Sequence, residues 1–254
     1  MARNLVTLTD ISKEFPGVQA LSKARFDLNA GEVHALVGEN GAGKSTLMKV
    51  LCGIYRRDEG QVLIRGQEEE IPDIRASQAL GIVMIHQELN LMNHLTVAQN
   101  IFIGREERGK IPLILDDASL NRKAGEILRR LNIDINPAMP LGRLSVAKQQ
   151  MVEIAKALSY QSEILIMDEP TASLTESEIE DLFRVIRLLR SEGKGIIYIS
   201  HRLDELLALS DRITVMRDGE TIETLATADA TIDRIIHLMV GRELFLEREG
   251  GGPD

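Results

Sequence analysis

Residues 38–46, GENGAGKST, combine the residue types that bind a chain of phosphates. The glycines let the backbone curl so that successive N–H groups face an anion, and a following helix would present its positive N-terminal end to the same point. A chance Gly-rich turn is the alternative, but the motif falls between a predicted strand and a predicted helix. We expect the nucleotide to be held by Gly38, Glu39, Asn40, Gly41, Ala42, Gly43, Lys44, Ser45 and Thr46.

Within this loop, two side chains have specific predicted tasks. Lys44 is expected to reach the β- and γ-phosphates, and the Ser45 hydroxyl to ligate Mg²⁺.

A second motif, ILIMDEP at 164–170, is an apolar strand that ends in two carboxylates. Asp168 suits the coordination shell of the Mg²⁺, and Glu169 could polarise the water that attacks the γ-phosphate. An acidic strand-to-loop turn without function is the alternative.

Three single residues carry weaker signals. The Gln87 amide could touch Mg²⁺ or the attacking water, although a polar residue that caps a strand is the alternative. His201 could donate a hydrogen bond to the γ-phosphate, although a lone His is more often structural. Phe15, in the Pro-Gly turn KEFPGV, could stack on a nucleobase, although a core aromatic is the plainer interpretation.

The stretch LGRLSVAKQQMVEIAKALS, residues 141–159, permits two interpretations. Ser145 could be an ordinary N-cap of an amphipathic helix whose buried stripe is Met151, Ile154, Ala155 and Leu158. The LSVAKQQ segment could instead be a phosphate-binding turn that has lost its glycines. A capped helix that is also a weak phosphate binder is compatible with both interpretations.

The elements that must position these residues follow from hydrophobic periodicity. Strands are predicted at 5–10, 24–29, 32–38, 60–66, 82–87, 163–169, 195–201 and 211–220. Helices are predicted at 44–51, 96–103, 117–131, 145–159 and 176–190. The pattern predicts an α/β fold in which a sheet of parallel strands, buried on both faces, is interrupted by a mostly helical insert.

Composition limits the classes of function. The 254 residues are 44% hydrophobic and 27% charged, as in ordinary globular proteins, and a net charge of −9 argues against a nucleic-acid-binding surface. The single cysteine, Cys52, excludes an internal disulfide. Without a signal peptide or an 18-residue apolar run, we expect a cytosolic protein whose membrane association comes through a partner. The polar end at 242–254 has the composition of a linker or tail.

The order of Phe15, the 38–46 loop, Gln87, LSVAKQQ, DEPTASLT and His201 resembles the nucleotide-binding domain of an ABC transporter. The resemblance implies a P-loop NTPase (RecA-like) core with an antiparallel β-subdomain and an inserted α-helical subdomain at about 88–158, within a domain spanning 1–241. It also implies roles in ATP binding or hydrolysis for the adenine-stacking Phe15, for Gln87 in the Q-loop, for the switch residue His201, and for Ser145 in the signature loop.

Segments such as KEFPGVQAL, HQELNL and ISHRLDE resemble the first of two fused domains in bacterial monosaccharide importers of the ribose, galactose and xylose type. That subgroup implies ATP and Mg²⁺ as ligands, and hydrolysis that drives import of a simple sugar. It implies a second nucleotide-binding domain fused C-terminally, transmembrane permease subunits and, indirectly, a periplasmic sugar-binding protein. The domain would lie peripherally at the cytoplasmic face of the inner membrane and be soluble when isolated.

The chain departs from the wider family at three positions. Val146 and Ala147 replace the glycines of the signature loop, and Thr175 stands where the D-loop usually has Asp. A different class, an ABC-type ATPase of translation or DNA repair, usually adds basic surfaces or long arms, which this acidic chain lacks. A P-loop GTPase would carry an N-K-x-D motif, which the sequence does not contain.

Overall fold

Two β-sheets form the framework of the computed structural model, which describes residues 3–105 and 116–241. The smaller sheet has the strand order β2-β1-β4-β5 and is antiparallel; its strands are β1 (Asn4–Phe15), β2 (Val18–Asn29), β4 (Glu59–Ile64) and β5 (Gln67–Glu68). The larger has the order β10-β9-β3-β8-β7-β6; its strands are β3 (Val33–Val37), β6 (Ile82–Ile85), β7 (Ile164–Asp168), β8 (Gly195–Ile199), β9 (Arg212–Arg217) and β10 (Glu220–Ala226).

Five strands of the larger sheet run parallel, and β10 joins its edge antiparallel to β9. Every residue of β3 and of β8 is buried, as their apolar runs require in a sheet that is covered on both faces. The carboxyl ends of parallel strands meet at one edge of a sheet. The segments that follow β3, β6, β7 and β8 therefore converge there, and they hold every candidate residue of the 38–46 loop together with Gln87, Glu169 and His201.

Helices pack against the larger sheet. In the described residues they are α1 (Lys44–Leu51), α2 (Ile74–Ala79), α3 (Val97–Ile101), α4 (Asp117–Arg130), α5 (Val146–Leu158), α6 (Glu176–Ser191), α7 (Leu203–Leu209) and α8 (Ile232–Val240). Three of these, α3, α4 and α5, lie between β6 and β7 along the chain. They contact one another and contribute to the apolar core beside the sheet. No helix among residues 3–105 and 116–241 is long and apolar enough to cross a membrane.

The expected α/β class, with an antiparallel β-subdomain and a helical insert, is confirmed by this arrangement, but several element predictions need correction. α2, α7, α8 and β5 were not predicted. The strand predicted at 211–220 is β9 followed by a turn at Asp218 and Gly219, whose φ angles are 50° and 81°, and then by β10. Positive φ at both positions matches the tight turn that joins twisted antiparallel strands. The predicted tail at 242–254 lies outside the described residues.

A buried histidine lies within the larger sheet. The His34 Nδ1 is 2.6 Å from the Asp27 carbonyl oxygen, and its Nε2 is 2.7 Å from Thr214 Oγ1. A carbonyl can only accept, so Nδ1 carries the proton and Nε2 accepts from the threonine hydroxyl. Burial, and then the neighbouring charge of Arg212, lowers the pKa of His34 from 6.5 to about 4. The ring is therefore neutral in the folded protein at neutral pH.

Candidate functional site

The 38–46 loop leaves the end of β3 and leads directly into α1. Gly43 is the N-cap of α1 and has a left-handed backbone, with φ of 97°. The Lys44 ammonium donates to the carbonyl oxygens of Gly38 at 2.7 Å and Glu39 at 3.0 Å. Its side chain thus curls back across the loop, as expected for a lysine that would meet the phosphates lying there.

A cavity of about 320 Å³ lies over this loop and brings most of the predicted residues together. Lys44, Gln87, Asp168 and Glu169 all line it, although they come from three separate segments of the chain. Its full lining is Val18, Gln19, Ala20, Asn40, Gly41, Ala42, Gly43, Lys44, Ser45, Thr46, Gln87, Asp168, Glu169 and Ile199.

Charges in the cavity influence one another. Burial lowers the pKa of Lys44, and the Glu169 and Asp168 carboxylates oppose that effect. Burial raises the pKa of Asp168, the Glu169 charge raises it further, and His86, Lys44 and Lys49 oppose the increase. The three opposing groups therefore offset the effects of burial and of Glu169 on the Asp168 carboxylate only in part.

This partial offset bears on the predicted cation. Ser45, Gln87 and Asp168 line the same cavity and supply hydroxyl, amide and carboxylate oxygens, the hard ligands that Mg²⁺ prefers. A divalent cation would also add positive charge beside the Asp168 carboxylate. The residues present therefore fit a magnesium ion.

Glu169 contacts both Gln87, predicted to touch Mg²⁺ or the attacking water, and His201, predicted to donate to the γ-phosphate. Its Oε1 lies 3.2 Å from His201 Nδ1, and its Oε2 accepts a long hydrogen bond of 3.5 Å from Gln87 Nε2. Its backbone is left-handed, with φ of 47°, and its N–H donates to the Ile199 carbonyl at 2.9 Å. This backbone turn presents the carboxylate between the ends of β6 and β8.

Five predicted residues do not line that cavity: Gly38 and Glu39 at the start of the loop, His201 beside Glu169, and the more separate Phe15 and Ser145. The Phe15 ring packs edge-on against Tyr55, with centroids 5.1 Å apart, and the Lys13 ammonium lies 5.5 Å from its centroid. Ser145 caps α5, where its Oγ accepts from the Lys148 N–H at 3.4 Å. The ordinary N-cap interpretation of Ser145 is therefore confirmed, and the predicted stripe of Met151, Ile154, Ala155 and Leu158 is buried. Whether Ser145 also binds phosphate stays a prediction.

The substituted signature positions lie beside the site. The Val146 side chain is 49% exposed, whereas Ala147 is only 8% exposed. Val146 and Gln150 line a second cavity of about 300 Å³, which shares Gln87 and Glu169 with the first. The β-branched side chain therefore faces open space at the start of α5, where a glycine would leave the backbone uncovered.

Sequence reasoning missed several residues that line the first cavity. Val18, Gln19 and Ala20 begin β2, directly after the Pro-Gly turn in which only Phe15 was considered. They are mostly exposed or half-buried, so no periodic pattern marks them. The one available signal was their position next to that turn.

A sequence profile described as ABC transporter matches residues 21–172, which is more than half of the chain. The chain belongs to the ABC transporter family. A putative ribose/galactose/methyl galactoside import ATP-binding protein 2 of Burkholderia cenocepacia (strain HI2424) is 62% identical over 243 residues, which are 96% of this chain and 48% of that protein. A similarly named protein of Albidiferax ferrireducens is 56% identical over 241 residues, 95% of this chain and 48% of its own length. The chain thus spans about half the length of these curated relatives.

Solved structures of the family share this architecture. A nucleotide-free ATP-binding cassette of an ABC transporter superposes with a TM-score of 0.80 at 27% identity, over 98% of this chain and 100% of that chain. An ATP-binding cassette in its ADP conformation gives a TM-score of 0.79, also at 27% identity, over 94% of this chain and 99% of that chain. The fold is that of a P-loop ATP-binding cassette.

Proposed function

We propose that this chain is the ATP-hydrolysing domain of an ABC transporter that imports a simple sugar. The observation that carries the proposal is the cavity in which Lys44, Asp168 and Glu169 converge on the 38–46 loop. The printed names of the relatives, ribose/galactose/methyl galactoside import proteins, support a monosaccharide as the transported substrate. No observation favours an ATPase of translation or DNA repair.

The proposed chemistry is transfer of the γ-phosphoryl group to water. Backbone N–H groups of the loop and the Lys44 ammonium hold the phosphates, while Ser45, Gln87 and Asp168 would hold Mg²⁺. When bound, that ion neutralises charge on the phosphate oxygens. The Glu169 carboxylate orients the attacking water and accepts its proton, and His201 lies close enough to fix the carboxylate. Catalysis is then mainly positioning and charge stabilisation.

The partners belong to the same proposal. The domain comprises residues 1–241, with the helical subdomain at about 88–158, and 242–254 leads toward a second nucleotide-binding domain. The relatives, about twice as long as this chain, support such a second domain. Permease subunits would bind the pair at the cytoplasmic face of the inner membrane, and a periplasmic protein would deliver the sugar. Phe15 would stack on adenine, and Ser145 would face the partner's γ-phosphate.

Phosphate release from Mg-ATP by the purified chain tests the site. Lys44→Ala removes charge-assisted hydrogen bonds to phosphate, each worth about 1.5–3 kcal/mol, so ATP affinity should fall about ten- to a hundredfold and hydrolysis should cease. Lys194→Ala is the matched control, because Lys194 is also half-buried and donates to a carbonyl, that of Ser162 at 2.5 Å, at the opposite end of the sheet. Equal ATP turnover in Lys44→Ala and wild type contradicts the assignment.

Glu169→Gln separates binding from chemistry. The amide keeps the shape of the carboxylate but cannot accept the proton of the attacking water. ATP should still bind, while hydrolysis should slow by about 10²- to 10⁴-fold, the usual contribution of a general base. A variant that hydrolyses ATP at the wild-type rate would make Glu169 a structural carboxylate.

A further inference from the structure

A buried carboxylate outside the proposed site binds three hydroxyl groups at once. Glu205, in the first turn of α7, is 5% exposed. Its Oε2 accepts from Thr171 Oγ1 at 2.8 Å, from Tyr198 Oη at 2.8 Å and from Ser200 Oγ at 3.1 Å. Thr171, Ser200 and Tyr198 are themselves buried, so all three bonds lie inside the protein.

The other oxygen of Glu205 faces a cation. Its Oε1 lies 2.8 Å from Arg202 Nη1, and the backbone N–H of Arg202 donates to Ser200 Oγ at 3.1 Å. Burial, followed by the Glu205 charge, raises the pKa of Tyr198, so its phenol stays protonated and remains a donor. The three hydroxyl groups and the Arg202 guanidinium are therefore all grouped around this one carboxylate.

The hydroxyls belong to the two segments that carry the proposed water-orienting residues. Thr171 follows Glu169 by two residues, and Ser200 immediately precedes His201. Glu169 and His201 are in turn 3.2 Å apart. A single side chain thus ties the loop after β7 to the loop after β8, directly behind the point where their functional groups meet.

Packing alone does not account for this choice of residue. A carboxylate loses several kcal/mol of hydration on burial, and an apolar side chain of similar size would fill the same volume without that loss. Every bond that Glu205 makes goes to a residue within three positions of Glu169 or His201 along the chain. The arrangement therefore fixes two loops relative to each other.

We propose that Glu205 is a positioning residue, whose bonds to Thr171 and Ser200 hold Glu169 and His201 in the geometry that orients the attacking water. The proposal rests on the proposed ATP hydrolysis. Glu205 does not line the cavity over the 38–46 loop, so ATP binding does not depend on it. Its loss should therefore lower kcat and leave the affinity for ATP unchanged.

The test compares ATP hydrolysis and ATP binding in Glu205→Gln and wild type. The amide keeps the size of the side chain but loses its charge, and its NH₂ group must face either Arg202 or the hydroxyl donors. Displacement of reacting groups by as little as 1 Å can cost about a hundredfold, so kcat should fall about ten- to a hundredfold. KM for ATP, and ATP affinity measured by direct titration, should stay within about twofold.

The matched control is Glu32→Gln. Glu32 is 7% exposed and binds Arg212 and Asn29, but it lies at the amino end of β3, away from the cavity. The Glu32→Gln variant should lose about as much stability in urea unfolding as Glu205→Gln does, and it should keep the wild-type kcat. Equal loss of kcat in both variants would overturn the proposal, because it would trace the effect to general destabilisation.

Two milder variants keep the idea testable if Glu205→Gln does not fold. Thr171→Val and Ser200→Ala each remove one hydroxyl and leave the carboxylate, and each should lower kcat with little change in KM. Wild-type kcat in both of them, or in a folded Glu205→Gln, overturns the proposal. Absence of ATP hydrolysis by the wild-type chain overturns the proposed function itself, and this role of Glu205 with it.

Discussion

Two glycines of the phosphate-binding loop share a backbone conformation but differ in their surroundings. Gly41 and Gly43 both have a left-handed backbone, with φ of 86° and 97°. A Cβ added at Gly43 would lie 2.8 Å from the Ala20 carbonyl oxygen and 2.9 Å from Leu21 Cδ2, whereas at Gly41 it would meet nothing within 4 Å. Alanine at each position therefore separates backbone strain from steric conflict.

The expected magnitudes follow from these distances. Gly41→Ala incurs only the left-handed strain of about 1–2 kcal/mol, part of which is offset because the unfolded chain also loses freedom. Gly43→Ala incurs the same strain, and a backbone oxygen must also move, which adds about 1–3 kcal/mol by analogy with overpacked cores. Because Gly43 is the N-cap of α1, that movement also displaces the N–H groups expected to bind phosphate.

Urea unfolding with and without Mg-ATP measures both effects. Gly17→Ala is the matched control, because its φ is 82° and its added Cβ also meets nothing within 4 Å, but it lies outside the loop. Gly17→Ala and Gly41→Ala should lose similar stability. Gly43→Ala should be at least about 1 kcal/mol less stable than either, and ATP should no longer stabilise it. Equal destabilisation of Gly41→Ala and Gly43→Ala would refute the steric argument.

Two further predictions concern α5 and the buried histidine. Joint replacement of Val146 and Ala147 by glycine should raise ATP turnover about ten- to a hundredfold at protein concentrations where two copies pair. The reason is that one or two hydrogen bonds to the phosphate bound by the partner copy are regained. A rate that equals the wild-type rate at every protein concentration contradicts the prediction. His34 has a pKa of about 4 in the folded protein, so as pH falls below 6.5 only the unfolded chain takes up a proton at this residue. The stability that the neutral ring contributes to the fold is therefore complete above pH 6.5 and is lost toward pH 4. Between pH 7.5 and 5, urea unfolding should show wild type losing about 2 kcal/mol more than His34→Gln, and equal losses would disprove the link.

The convergence of the site could be predicted from sequence because it follows from strand direction. Apolar runs at β3, β7 and β8 predict buried parallel strands, and the chemically active residues come directly after them. The common edge of the sheet then brings Lys44, Asp168 and His201 together without any knowledge of loop conformation. The expected α/β architecture followed from the same pattern.

The supporting contacts could not be predicted in this way. α7 has only seven residues, too few for a periodic signal, so nothing indicated that Glu205 would point inward beneath the two catalytic loops. Val18 and Ala20 reach the cavity only because the β1–β2 hairpin folds back over the loop, a tertiary contact. The turn at Asp218 and Gly219 was different, since an Asp-Gly pair is a strong hairpin signal that the uninterrupted interpretation of 211–220 overlooked.

The left-handed backbone of Glu169 makes position 169 a place where heat resistance and chemistry favour different residues. A φ of 47° costs a residue with a side chain about 1–2 kcal/mol, whereas glycine adopts it freely. A library randomised at this position and sorted only for survival of heating should therefore accumulate glycine or asparagine, which cannot accept a proton from water. Sorted for ATP turnover, the same library should return glutamate, so laboratory selection for thermostability alone would erode the activity it was meant to preserve.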